Sequence, residues 1–185
     1  MLVEPTTSDP LAMLRRGELD LVVVRLPFDE PDLAVGPELD RDGRVLAVAR
    51  TDPLAAARSV SVEVLADRGV CRFPRYPESL HLPILPKATP SGRPIPVVLD
   101  VDGIWDVLEA VARGRIVHPT SARITDYYNH PDVVFVPLHD APALCTALTW
   151  VSGAESAAAR AFVAEAEREV EQCEGEERAA HRGGS

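Results

Sequence analysis

The chain has 185 residues, 46% hydrophobic and 26% charged, with a formal net charge of −10. That length suits one domain or two small lobes with a real core, and the acidic balance disfavours non-specific binding to nucleic-acid phosphate. Its three cysteines, Cys71, Cys145 and Cys173, are far apart and odd in number. This excludes a disulfide framework and a CxxC metal site, and points to a reducing compartment.

In chain order, MLVEPTTSDP lacks the basic and apolar regions of a secretory leader, and no apolar stretch approaches the ~20 residues of a membrane span. The chain therefore reads as cytoplasmic. Leu2-Val3 predicts a short strand. Asp9 and Pro10 then suit a helix cap and first turn, Leu11 and Leu14 supply its apolar face, and Gly17 ends it. The run from Leu19 to Val24 is almost unbroken in apolar residues, which predicts a strand covered on both faces, as in parallel sheets. Residues 33–37 and 43–49 predict two more strands joined at Asp40-Arg41-Asp42-Gly43. Ser61 predicts the cap of a short helix to Ala66, and Gly69 to Phe73 a strand.

Of the 17 prolines, Pro74, Pro77, Pro83, Pro86, Pro90, Pro94 and Pro96 fall within 74–96. Such density rules out a regular helix or central strand and predicts a long stiff loop. Val97 to Leu99 then predicts a strand. Asp102 predicts the cap of a helix whose Ile104, Val107, Leu108 and Val111 share one face, closed by Gly114. Ile116-Val117 predicts a strand, and Pro119-Thr120-Ser121 the start of a helix. Val133 to Val136 and Leu144 to Val151 predict strands. Ser152 to Glu155 predicts a capping box for a helix burying Ala159, Phe162, Val163, Ala166 and Val170. Trp105 also reads as core. The alternation of strands and helices predicts an α/β protein.

A phrase recurs. LRRGELDLVVVRLP and VARGRIVHPTS each place Arg-Gly after a helix, then an apolar run, then a nitrogen-bearing side chain and a proline. Ligands of open α/β sheets bind at the carboxyl ends of strands, so Arg25 and His118 are candidate contacts. Enzyme signatures are missing: there is no GxSxG, P-loop or post-strand GxGxxG. His118, His130 and His139 with Asp132 and Asp140 match no metal-ligand template. No catalytic residue, metal or cofactor is expected.

DPLAMLRRGELDLVVVRLP, DRDGRVLAVARTDPLA, GIWDVLEAVARGRIVHPTSA and VVFVPLHDAP, taken in that order, resemble the effector-binding domain of LysR-type transcriptional regulators over about residues 3–170. The resemblance implies a two-lobed type 2 periplasmic-binding-protein fold with a small-molecule cleft. It implies a first lobe from 1–42 plus 151–172 and a second from 43–150, while the polar run over 173–185 predicts a flexible tail. It further implies that the first lobe lacks its opening strand and helix, and that no helix-turn-helix is present. The expected ligand-binding residues are Thr6, Thr7, Arg25, Phe73, Pro74, His118 and Thr120, with a small carboxylate as effector because guanidinium, hydroxyl and N–H groups suit that anion. Lobe closure on the effector would bias a two-state assembly. Homo-oligomer formation or pairing with a full-length regulator is the expected partnership, without DNA binding by this chain alone and without a membrane. Two other readings use the same features: a truncated interaction protein that pairs with full-length regulators, and a solute-binding protein.

Overall fold

The computed structural model describes residues 9–182. In chain order its elements are helix α1 (Pro10–Arg15), strands β1 (Val22–Leu26), β2 (Leu33–Asp42), β3 (Arg44–Ala49) and β4 (Val70–Arg72), helix α2 (Glu78–His81), strand β5 (Val97–Asp100), helix α3 (Ile104–Ala112), strand β6 (His118–Ser121), helix α4 (Ile124–Tyr127), strands β7 (Val133–Pro137) and β8 (Leu144–Val151), and helix α5 (Ala157–Arg182). Two units result: a larger one over Asp42–Leu144, and a smaller one over Pro10–Arg41 and from Cys145 onward.

In the smaller unit, α1 buries Leu11 and Leu14, one turn apart on one face. Gly17 takes a φ of 69° and ends the helix. The Glu18 N–H donates to the Met13 carbonyl and the Gly17 N–H to the Leu14 carbonyl, each at 3.0 Å, the Schellman closure that a left-handed glycine allows. Strand β1 follows, but its setting differs from the predicted parallel, doubly covered strand. It pairs antiparallel with β8, from Val22 opposite Thr149 to Leu26 opposite Cys145, in a sheet ordered β1-β8-β2. Val24 is buried while Val23 is 61% exposed. An unbroken apolar run carries no record of which faces will be covered; distant chain decides that. For the same reason β8, which the sequence places with residues 43–150, joins β1 and β2. Its Thr149 hydroxyl donates to the Ala34 carbonyl at 2.7 Å.

The predicted capping box does not form. The Glu155 carboxylate instead accepts from the Trp150 indole N–H at 2.7 Å, and the Ser156 hydroxyl accepts from the Ala159 N–H at 3.0 Å. The indole needs a partner for its only donor, and the helix starts one cap later. Ala159 is buried, whereas Phe162 is 59% exposed and is no core residue. The helix also continues through Arg182, into the segment expected to be a flexible tail.

In the larger unit, β3 lies between β6 and β7 and is antiparallel to both. All six of its residues are buried, as a central strand covered on both faces requires. Leu46 and Val48 face a cluster with Leu65, Val70, Val117 and Val136. Ala47, between them, faces a second cluster with Cys71, Val107, Leu108 and Val111. Strands β4 and β5 form a parallel pair, and the Val117 N–H donates to the Gly69 carbonyl at 2.9 Å, which sets the start of β6 beside β4.

Helix α3 buries Val107, Leu108 and Val111 as its periodicity predicts. It closes as α1 does: Gly114 has a φ of 66°, the Arg115 N–H donates to the Ala110 carbonyl at 3.0 Å and the Gly114 N–H to the Val111 carbonyl at 2.8 Å. Its amino end departs from expectation. Gly103 occupies the cap position, and the Asp102 N–H donates to the Asp106 carboxylate at 3.3 Å. Trp105, read as core, is 60% exposed and meets Tyr128 edge-on, with centroids 5.6 Å apart. Ser61 does cap its turn, accepting from the Glu63 N–H at 3.1 Å, but the turn is a 3-10 helix over Val62–Asp67. Within the proline-rich stretch the chain makes one helical turn, α2, between Pro77 and Pro83.

Candidate functional site

The expected site residues of the larger unit fall on two neighbouring pieces of chain. Strand β4 delivers Phe73 and Pro74 just past its end, and β6 carries His118 and Thr120. His118 is 6% exposed. Its Nδ1 lies 3.5 Å from the Cys71 sulfur. Depending on the tautomer, either the thiol or the Nδ1–H is the donor. Phe73 stands edge-on to His118, with centroids 6.3 Å apart.

Phe73 is the hub of a larger cluster. The His81 ring of α2 stacks on it at 5.7 Å and 25°. Tyr76 meets Phe73 edge-on at 6.0 Å and lies 6.1 Å from His81. Such ring pairs contribute about 0.5–1.5 kcal/mol each beyond their buried area. The structure thus brings Phe73 and His118 together and adds Cys71, Tyr76 and His81. The only signal for the last two was that Tyr76 and His81 lie in the proline-rich stretch directly after Phe73, which has no periodicity to mark a shared face.

Pro74 is exposed and Thr120 buried. Thr120 stands opposite Val45 in the β3–β6 ladder, so Pro119-Thr120-Ser121 is strand, not the predicted helix start. The Ser121 hydroxyl and the Arg123 N–H both donate to the Asp42 carboxylate. This carboxylate shapes the turn after β6, and α4 begins only at Ile124. Among the described residues, therefore, no helix amino terminus presents N–H groups at Thr120, as the expected anion site required.

Burial pushes the Cys71 thiol up to about 12, so it is a neutral thiol at physiological pH. Native protein at pH 8 is expected to leave Cys71 unlabelled by iodoacetamide, while the chain unfolded in guanidinium is labelled. Peptide mass mapping reads the difference; equal labelling in both states contradicts the packing around Cys71.

His81 is also held neutral. Burial lowers its pKa from the ordinary 6.5, the nearby Glu78 carboxylate works the other way, and Arg72 lowers it further. Its Nε2 is buried without a hydrogen-bond partner among the described residues. The unfolded chain binds a proton near pH 6.5 that the folded chain resists, so this contribution to stability is intact above 6.5 and is lost as pH falls from there through the lower folded-state pKa. Guanidinium unfolding at pH 7.5 and pH 5 is expected to show a smaller acid loss in His81→Phe than in the unaltered chain. An identical loss in both would clear His81 of the effect.

Arg25 lies in the smaller unit, on β1 opposite Thr146. Its side chain is exposed, although crowding by protein lowers its pKa. Exposure decides the charge state: a guanidinium so placed remains protonated. No carboxylate or other hydrogen-bond partner meets it among the described residues. Thr6 and Thr7 lie outside the described residues.

An open groove of about 620 Å³ runs along β5 and α3, lined in part by Asp100, Asp102, Asp106, Glu109, Arg113 and Arg115. None of the ring-cluster residues lines it. Its acids are largely matched, Asp100 by Arg72, Asp102 by Arg75 and Glu109 by Arg113, so the groove is a solvated, charge-paired surface. Among the described residues no group of His, Cys, Asp and Glu side chains is arranged to hold a metal ion, and no helix is long and apolar enough to cross a membrane.

A family model described as "LysR substrate binding domain" matches residues 1–171. No curated protein matches. Among solved structures, the effector binding domain of QuiR in complex with shikimate is similar at 19% identity and a TM-score of 0.69, over 88% of this chain and 77% of that one. The BenM effector binding domain with its effector benzoate is similar at 21% identity and a TM-score of 0.63, over 90% and 75%. A mutant OxyR of Corynebacterium glutamicum is similar at 20% identity and a TM-score of 0.67, over 94% of this chain but 54% of that one. The fold is thus of the type 2 periplasmic-binding-protein class, and the chain spans about half the length of such longer regulators.

Proposed function

Since the chain belongs to the LysR substrate binding domain family, we propose that it senses a small carboxylate effector on behalf of a LysR-type transcriptional regulator. The observation that carries the carboxylate is Arg25, a charged guanidinium at the end of a strand with no counter-charge among the described residues. A cation so placed gains most from a bidentate anion. In the larger unit, Phe73, His81 and His118 offer a wall of rings, the kind of lining that small-molecule sites combine with a few polar anchors. The relatives whose structures carry benzoate and shikimate lend support to an acid of that size. Phe73, Pro74, His118 and Thr120 are proposed as contacts, with Thr6 and Thr7. A cytoplasmic location goes with that role, and the net charge of −10 makes phosphate contact by this chain unfavourable.

A thermal-shift screen tests the reading. Benzoate, shikimate and other small carboxylates are compared with their neutral amides. A binding acid at 100 times its dissociation constant stabilises by about 2.7 kcal/mol, so a clear rise in melting temperature with an acid and none with its amide is expected. No rise with any acid would sink the proposal.

One observation favours a second reading, a chain that pairs with longer regulators. Val23 on β1 and Phe162 on α5, both in the smaller unit, are large apolar side chains left exposed, which is a recurrent mark of interaction surfaces. Size-exclusion chromatography of the chain mixed with a full-length family member separates the readings: co-elution without any effector response supports pairing alone.

A further inference from the structure

The ring cluster stands partly on α2, and α2 belongs to the proline-rich stretch 74–96, where the side-chain pair holding this helical turn, Lys87 with Glu78 at 2.7 Å, is solvent-exposed. A buried anchor lies elsewhere. Arg44 opens β3 and is 7% exposed. Its guanidinium donates through NH1 to the Pro83 carbonyl at 3.1 Å and through NH2 to the Ile84 carbonyl at 2.5 Å, just past the end of α2. A buried cation needs such acceptors, and these two bonds fix a piece of main chain.

From there the contacts form a closed circuit. The Ile84 and Leu85 N–H groups both donate to the His81 carbonyl, at 2.9 and 2.8 Å. The His81 ring stacks on Phe73, and Phe73 meets His118. His118 stands opposite Ala47 in the β3–β6 ladder, three positions along the strand that Arg44 begins. Every link of the circuit is a strand ladder, a hydrogen bond or a ring contact, so the Arg44 end and the His81–Phe73 pair are joined by an unbroken series of contacts.

We propose that Arg44 is a positioning residue: by gripping the Pro83 and Ile84 carbonyls it seats α2, and so sets the His81–Phe73 face presented beside His118. The use of that face for an effector rests on the function proposed above; the clamp itself does not. The two bonds of Arg44 to these carbonyls reach the cluster through main chain. This separates it from the residues proposed as contacts, and from a surface arginine whose loss is neutral.

The test uses the full chain with ¹³C-labelled histidine, its imidazole signals followed across pH without ligand. In Arg44→Met the His81 signals are expected to lose the ring-current shift from Phe73, and their titration to move back toward pH 6.5, while circular dichroism still reports a folded chain. Arg44→Lys, which keeps a charged donor, is expected to restore part of the shift. A folded Arg44→Met whose His81 signals match those of the unaltered chain overturns the proposal. If Arg44→Met shows no cooperative melt, Arg44→Gln is judged by the same signals; failure of both to fold makes Arg44 a residue of general stability and equally overturns it. Benzoate titration of the same samples separates the two claims. At least tenfold weaker benzoate binding in folded Arg44→Met supports the clamp as part of the effector wall. No benzoate binding by the unaltered chain counts against benzoate as effector and leaves the histidine result to judge the clamp.

Discussion

Arg25→Ala is expected to weaken binding of an acidic effector about 10- to 100-fold, with no comparable loss for a neutral analogue. A hydrogen bond to a charged group contributes about 1.5–3 kcal/mol, and 1.4 kcal/mol is a factor of ten in affinity. Arg25 makes no ion pair among the described residues, so its removal strands no partner and leaves stability nearly unchanged. Isothermal titration of the carboxylate identified by thermal shift, against its amide, reads both affinities. Arg25→Lys keeps the charge but not the planar fork, and falls between the two where recognition is bidentate. An acid that binds Arg25→Ala as tightly as the unaltered chain would remove Arg25 from the site.

Leu46→Ala is expected to cost about 3 kcal/mol, within the range of about 2–5 for large-to-small changes in a packed core. Leu46 is fully buried in β3, with Val48, Leu65, Val70, Val117 and Val136 around it. Strand pairing on both sides prevents collapse into the space the side chain leaves. Guanidinium unfolding followed by circular dichroism measures the change. Phe162→Ser is the contrast: a larger side chain, but 59% exposed on α5, and expected to shift stability by less than about 0.5 kcal/mol. A similar loss in both variants would mean that Phe162 is covered in solution, for instance by a second chain.

These two residues show where sequence patterns hold and where they fail. Leu46 lies in the apolar stretch that predicts β3, and that strand is paired on both edges and covered on both faces. Phe162 satisfies a helical spacing with Ala159 and Ala166, yet a spacing names a face without naming what covers it. The strand run at Val22 to Leu26 fails in the same way: four apolar residues look alike in a parallel sheet and in an antiparallel sheet with one open face.

Local chemistry was legible where the partners are near in sequence. Both Arg-Gly phrases close a helix because Gly17 and Gly114 accept, without a Cβ clash, the left-handed backbone that the closing pair of hydrogen bonds needs. The α3 face follows from four spacings, and Ser61 caps its turn. Signals of equal local strength misled where another group competed. Glu155 left its capping box for the Trp150 indole, and Asp42, far back in the chain, took the turn after Thr120 that a helix start would have claimed.

The sequence by itself determined the α/β class, the order of the elements, the helix ends at Gly17 and Gly114, and the family, because each rests on interactions within a few residues or on an ordered set of such segments. Tertiary structure alone decided that β8 sits between β1 and β2, that Cys71, Tyr76 and His81 gather around Phe73 and His118, and that Arg44 holds α2. Those outcomes depend on which remote chain covers a face or accepts a buried hydrogen bond, and that choice is settled by desolvation across the whole unit rather than by any local run of residues.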